Sequence, residues 1–240
     1  MIKPRLVTED MLQSLPAAVQ RYLTHAGVIG KPWVDTVRIT YSGRFRTAPG
    51  KPWMPIAVTQ FYTTKQPGFL WKARFKMAGL PLLRANDVYK DGHGHMLGKL
   101  VGLYTVIDGS GDEVDQGTMV RYLQEMTWFP SAYLSDFVAW QAVDDHCADV
   151  TLSDHGKRVT GRMYFDDSGR MLTFIAQRYG EFEGSAVVKP WSTPTAEYGL
   201  INGMRLPMVG QGVWQLESGD YRYIDVHLNS LDYNVPIPEF

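Results

Sequence analysis

Between Asp91 and Pro130 the chain reads DGHGHMLGKLVGLYTVIDGSGDEVDQGTMVRYLQEMTWFP. His93 and His95 lie two apart, so a strand would put both on one face, with Asp91 at the same spacing. Imidazoles there could hold a metal or move a proton. No HExxH and no third-ligand pattern follows, so the expectation is acid–base work and no metal ligands. Asp115 stands one turn into a helical stretch and shares a face with Met119, Tyr122 and Met126. Burial among those side chains would raise its pKa toward a general-acid range. The other reading of Asp115 is a charge that favours a helix start. His93 or His95 is expected as base, Asp115 as its partner or acid, and Tyr89 in support.

Substrate contacts are expected from Arg74 or Lys76, which could hold an anionic group. Trp71, Met119, Tyr122 and Tyr198 could line an apolar pocket. Arg74 and Lys76 alternate with Trp71 and Phe75, which equally fits a solvated strand face. Arg121 and Glu125 are four apart on the helix, where a surface ion pair is the default, and Arg121 is also a candidate substrate contact. Cys147 sits in an alternating stretch, HCADVTL, and reads as a buried structural thiol.

These residues need elements to position them. An amphipathic helix opens the chain after Thr8, with Leu12, Leu15, Val19, Tyr22 and Leu23 at helical spacing. Pro16 should kink or restart it, and Gly27 and Gly30 end it. The period then changes to two. Val37–Arg46, Ile56–Thr63 and Phe69–Met77 read as strands joined by Pro/Gly turns. Region 84–108 gives weaker strands broken at Gly92 and Gly94. A helix is expected over about 111–128. Strands resume at 138–144, 147–153, 157–166 and 170–182, then at 185–190, 195–201, 204–216 and 221–233. Asp166–Gly169 and Asn202-Gly203 are hairpin turns. The fold class is mainly β: a large curved antiparallel sheet or incomplete barrel, with an N-terminal helix and the mid-chain helix on its concave face. One domain is expected over 1–240: a helical segment (1–30), a first set of strands (33–108), a helical plug (111–135) and a second set of strands (137–235).

Composition excludes several functions. The chain has 240 residues, 45% hydrophobic and 20% charged, enough for a substantial core. Its 24 basic and 25 acidic residues give a net charge of −1, with no basic excess for nucleic acid or an anionic membrane. A single cysteine rules out an internal disulfide and CxxC metal sites. There is no P-loop, Rossmann fingerprint, nucleophile elbow or SxxK, and no cofactor is expected. No stretch approaches the ~20 apolar residues of a membrane-spanning helix.

Local strings along most of the chain resemble a bacterial family, the domain of unknown function numbered 6544. They are LPAAVQRYL (15–23), GRFR (43–46), KPWMP (51–55), QFYTT (60–64), PGFLWKA (67–73), DGHGHMLGKLVG (91–102), DQG (115–117), RYLQE and WFP (121–130), FDDSGR (165–170) and PW (190–191). The family carries no agreed activity. Its shape is similar to the half-barrels of lipoprotein carriers of the LolA type, an analogy of fold. Such carriers are exported. The N-terminus MIKPRLVTEDML has no apolar core of signal-peptide length, so a cytoplasmic protein is expected.

The expected function is a cofactor-independent enzyme of lyase, hydratase or isomerase type. It would act by proton transfer on a hydrophobic, aromatic small molecule in the half-barrel cavity. The alternative is a non-catalytic binder or carrier of a lipid or other hydrophobic ligand. Homo-oligomers are compatible with either.

Overall fold

The computed structural model describes residues 4–77 and 79–240. A short 3-10 turn, Glu9–Leu12, precedes α1, Ala17–Ala26. Pro16 restarts the helix as expected, because its ring fixes φ without needing an N–H partner. Gly27 ends it in the left-handed conformation at φ 78°.

Six strands follow: β1 (Thr36–Phe45), β2 (Met54–Thr63), β3 (Gly68–Met77), β4 (Leu80–Lys90), β5 (His93–Leu100) and β6 (Tyr104–Ser110). Then comes α2, Asp112–Glu125, running into two 3-10 turns, Met126–Trp128 and Pro130–Leu134. The second set is β7 (Val138–Asp144), β8 (Cys147–Asp154), β9 (Lys157–Phe165), β10 (Met171–Phe182), β11 (Ser185–Ser192), β12 (Tyr198–Ile201), β13 (Met204–Pro207), β14 (Val209–Leu216) and β15 (Gly219–Tyr233). The stretch expected as one strand over 204–216 is two. β12 and β13 form a separate hairpin on Asn202-Gly203, with φ of 53° and 71°, as a primed turn requires.

All other strands join one antiparallel, 13-stranded sheet in the order β6-β5-β4-β3-β2-β1-β15-β14-β11-β10-β9-β8-β7. β15 is the splice: it pairs with β1 on one side and β14 on the other. The sheet curls into a half-barrel. α2 touches β4, β5 and β6 of one arm and β8, β9 and β10 of the other. An element that touches both arms of so wide a sheet must lie inside the curl, so α2 sits on the concave side.

Strand alternation sets the faces. β2 buries Ile56, Val58, Gln60 and Tyr62, and β3 buries Phe69, Trp71, Ala73 and Phe75. α2 buries Met119, Val120, Tyr122 and Leu123 against them. Gly94 was expected to break a strand, but it lies inside β5. A Cβ there would come within 2.6 Å of Thr118 Oγ1 and 2.9 Å of the Val114 carbonyl. Glycine at this position lets the helix close directly onto the strand. Cys147 is buried at the start of β8, as expected; burial and Asp144 push its thiol pKa up. Among the described residues, no helix is long and apolar enough to cross a membrane.

Candidate functional site

Two arginines reach the concave face, one from α2 and one from β10. Arg121 is largely buried, so the expected surface ion pair with Glu125 is corrected. Its Nε donates to Glu125 Oε1 at 2.9 Å and its Nη1 to Asp87 Oδ2 at 2.8 Å. Its Nη2 donates to Gln60 Oε1 at 3.2 Å. Gln60 Nε2 and Tyr62 Oη donate to Glu125 Oε2 at 2.8 and 3.0 Å. Tyr41 donates to Gln60 Oε1 at 3.0 Å and accepts from Trp71 Nε1 at 2.6 Å. The guanidinium also lies 5.0 Å from the ring centroids of both Phe69 and Trp71.

Burial alone would lower the Arg121 pKa, but Glu125, Tyr41 and Asp87 outweigh it and hold the side chain charged. Asp87 moves the other way: burial pushes its carboxyl up, and Arg121 and Arg178 pull it back only in part. Its two oxygens are not equally partnered. Oδ2 takes Arg121, while the buried Oδ1 has no hydrogen-bond partner. An unpaired buried acceptor is costly, so it marks a place where a donor fits.

Arg178 caps the other arm. Its guanidinium lies 4.8 Å from the Trp191 ring and 5.6 Å from Trp214. Its Nε donates to the Gly117 carbonyl of α2 at 2.9 Å, and Nη1 to Tyr223 Oη at 3.4 Å. Between the arms runs a continuous arc of aromatic rings. Trp71 and Phe75 are 6.2 Å apart, Phe75 and Phe45 5.4 Å, Phe45 and Tyr223 5.8 Å, Tyr223 and Trp214 6.1 Å, and Trp214 and Phe182 5.2 Å. Phe45, Phe182 and Tyr223, with Met54 and Leu83, are only partly buried. This end of the concave face therefore keeps part of its apolar surface exposed, and the ionic cluster adjoins it through Trp71.

The expected acid–base set is elsewhere. His93 Nδ1 does lie 3.3 Å from Asp115 Oδ2, but the His93 side chain is 77% exposed. His95 points outward to Asp108, at 2.9 Å. Both histidines alternate along β5 with Gly94, the position that lies under α2, and so occupy its outer face. Asp115 is buried, but its carboxyl moves opposite to the expected rise. Burial raises its pKa, yet the Gly94 N–H, Lys157 and His93 together win and lower it. Its Oδ1 accepts from Gly94 N at 2.6 Å, and Oδ2 accepts from Lys157 Nζ. The carboxylate clamps α2 to β5 and β9. Tyr89 donates to Asp154 Oδ2 at 2.7 Å, and burial, Asp154 and Asp115 push its hydroxyl up, away from proton transfer near neutrality.

The substrate contacts divide. Trp71 and Arg121 meet in the cluster. Met119 and Tyr122 are fully buried core, with Tyr122 Oη donating to the Thr63 carbonyl at 2.8 Å. Arg74 and Lys76 are exposed on the convex face, so neither can hold a substrate group inside; the solvated-face reading is the one that stands. Tyr198 lies on the β12–β13 hairpin, donating to the Met171 carbonyl at 2.8 Å. Gln60, Asp87 and Arg178 join the site without a motif in the sequence that marks them. A signal existed for two of them: Gln60 sits on the apolar parity of β2, and Asp87 on that of β4 beside Ala85 and Tyr89. Two surface depressions lie away from the arc. One of about 480 Å³ borders α1 at Arg21 and His25, and one of about 290 Å³ lies at Lys31, Asn202 and Tyr233. Among the described residues, no three His, Cys, Asp or Glu side chains gather as a metal site would need.

The model of a family of unknown function, DUF6544, matches residues 5–226. The chain belongs to that family. No functionally curated protein matches this DUF6544 chain. Among solved structures, it is similar to a LolA superfamily protein from Nitrosomonas europaea, with TM-score 0.50 and 9% identity, over 97% of this chain and 96% of the other. It is also similar to a domain from Vibrio parahaemolyticus described as that of an outer membrane lipoprotein-sorting protein. There the TM-score is 0.46 and the identity 9%, over 97% and 94%. The half-barrel expected from the resemblance is thus the fold of this DUF6544 member. The expectation of a lyase-type enzyme is corrected. The fold is shared with a LolA superfamily protein, and the acid–base residues on which the lyase reading stood do not assemble on the concave face.

Proposed function

We propose that this protein binds a hydrophobic small molecule at the open, aromatic end of its half-barrel and carries it unchanged. The observation that carries this reading is the arc from Trp71 to Phe182, whose middle rings remain partly exposed. Apolar surface on a concave face gains by being covered, at about 25 cal/mol per Å². Aromatic rings supply that area at low entropic cost. The fold shared with a LolA superfamily protein supports a carrier over a catalyst. The polar end of such a ligand would be a hydrogen-bond donor, because Asp87 Oδ1 is the unfilled acceptor beneath the arc.

A fluorescent apolar probe tests this. Its emission should rise on binding and fall when a long-chain alcohol displaces it. The displaced ligand should be recovered chemically intact. Phe45→Arg puts a charge across the arc and should weaken probe binding by tenfold or more, with circular dichroism unchanged. Equal probe binding by folded Phe45→Arg protein, or conversion of the ligand to product, refutes the reading.

A further inference from the structure

We propose that the tip of the arm formed by β3, β4, β5 and β6 docks on an anionic lipid surface. The proposal stands on residues outside the ligand site, so either reading can fail without the other.

The net charge of −1 conceals a local segregation. Between Gly68 and Leu100 the exposed charges are Lys72, Arg74, Lys76, Arg84, Lys90 and Lys99, against Asp91 alone. The strand register aligns three of them. Arg74 lies directly opposite Arg84, and Arg84 directly opposite Lys99. They form a row of three cations across three neighbouring strands on the convex face. Like charges placed opposite one another destabilise a sheet. Among the described residues none of the three has a carboxylate partner, whereas Arg38, Arg44, Arg121, Arg162 and Arg170 each do. Asp108 of β6, a nearby acid, is engaged by His95. A repulsive row that the fold leaves unneutralised is suited to an anionic partner.

The second observation selects the kind of anion. In antiparallel order, the β3–β4 and β5–β6 connections fall at the same end of the sheet. Val101 N donates to the Leu82 carbonyl at 2.6 Å and ties the two together. At that end Leu80 is 58% exposed, Val101 57%, Leu103 80% and Tyr104 68%. Protruding aliphatic side chains with an amphipathic tyrosine gain nothing from a soluble polyanion. They gain by entering the headgroup boundary of a bilayer, while the cations beside them meet its charge. Leu83, on the rim of the concave face, follows Leu80 on the same strand. A docked chain would therefore present its open end close to the lipid.

The test is co-sedimentation of the purified full chain with vesicles. One set is phosphatidylcholine alone; the other is an equimolar mixture with phosphatidylglycerol. The chain should sediment with the mixture, not with phosphatidylcholine alone, and binding should fall as salt rises. Each cation near an anionic surface is worth on the order of fivefold in partition. Arg84→Gln with Lys99→Gln should therefore lose roughly thirtyfold. Leu103→Ser with Tyr104→Ser should also lose tenfold or more. All four residues are exposed, so the variants should keep the wild-type circular dichroism spectrum. No binding to the mixture, or equal binding to both vesicle sets, overturns the proposal. So does loss in the cation variant alone with full binding by the Leu103 and Tyr104 variant, which would show that the row attracts anions of any kind and that the apolar tip does not enter the bilayer.

Discussion

Asp115 shows how the same residue can be read correctly for place and wrongly for chemistry. Its helical spacing with Met119 and Tyr122 put it on a buried face, where it is. The expected rise in pKa required burial to dominate. Three partners from other elements, Gly94, Lys157 and His93, reverse the sign, and none is adjacent to it in sequence. The consequence for stability is specific. A carboxyl held below its unfolded value contributes stability that is present above the unfolded pKa, about 3.9, and lost as pH falls through the folded value. Asp115→Asn should cost about 1–3 kcal/mol at pH 7, since it leaves Lys157 without its buried anion. The gap to wild type should close as the pH is lowered below about 4. Denaturant titrations across that range check this; a gap that stays constant with pH would show that Asp115 acts by shape alone. Arg121 gives the complementary lesson. Its spacing to Glu125 is the signature of a surface pair, and only tertiary contact with Gln60 and Asp87 makes it a buried hub.

At the scale of elements, period-two patterning located β1, β2, β3, β8, β9 and β10 closely, because each has one buried and one solvated face. It failed at β13 and β14. Met204 to Leu216 reads as one strand, but Met208 leaves the ladder between the two, and β13 turns away to pair with β12. The glycines of DGHGHMLG were legible as special but not for the right reason. They suggest a turn in isolation, whereas Gly94 serves close contact with α2. That contact is testable. Gly94→Ala pushes a methyl group against Thr118 and the Val114 carbonyl, and overpacking of this kind typically costs about 1–3 kcal/mol. Amide exchange should quicken over 112–118, where α2 meets β5, more than over the β14–β15 hairpin. A uniform change across both would mean that α2 does not dock independently of the sheet.

For the whole molecule, the half-barrel and its helical plug followed from counting strands on either side of one helix. The strand order did not. That β15 splices the two arms by pairing with β1 depends on contacts nearly two hundred positions apart, such as Val37 with Tyr233, which no local pattern encodes. The open aromatic end was hidden for the same reason, since Phe45, Tyr223 and Phe182 come from three distant strands. The central claim is that this end holds an apolar molecule, and locating a heavy atom in a bound ligand tests it most directly. Crystals grown with a bromine-substituted long-chain alcohol should show an anomalous bromine peak in van der Waals contact with Phe45, Phe75 or Tyr223. A peak only at the depression beside Arg21 and His25, or no peak under saturating ligand, would contradict it.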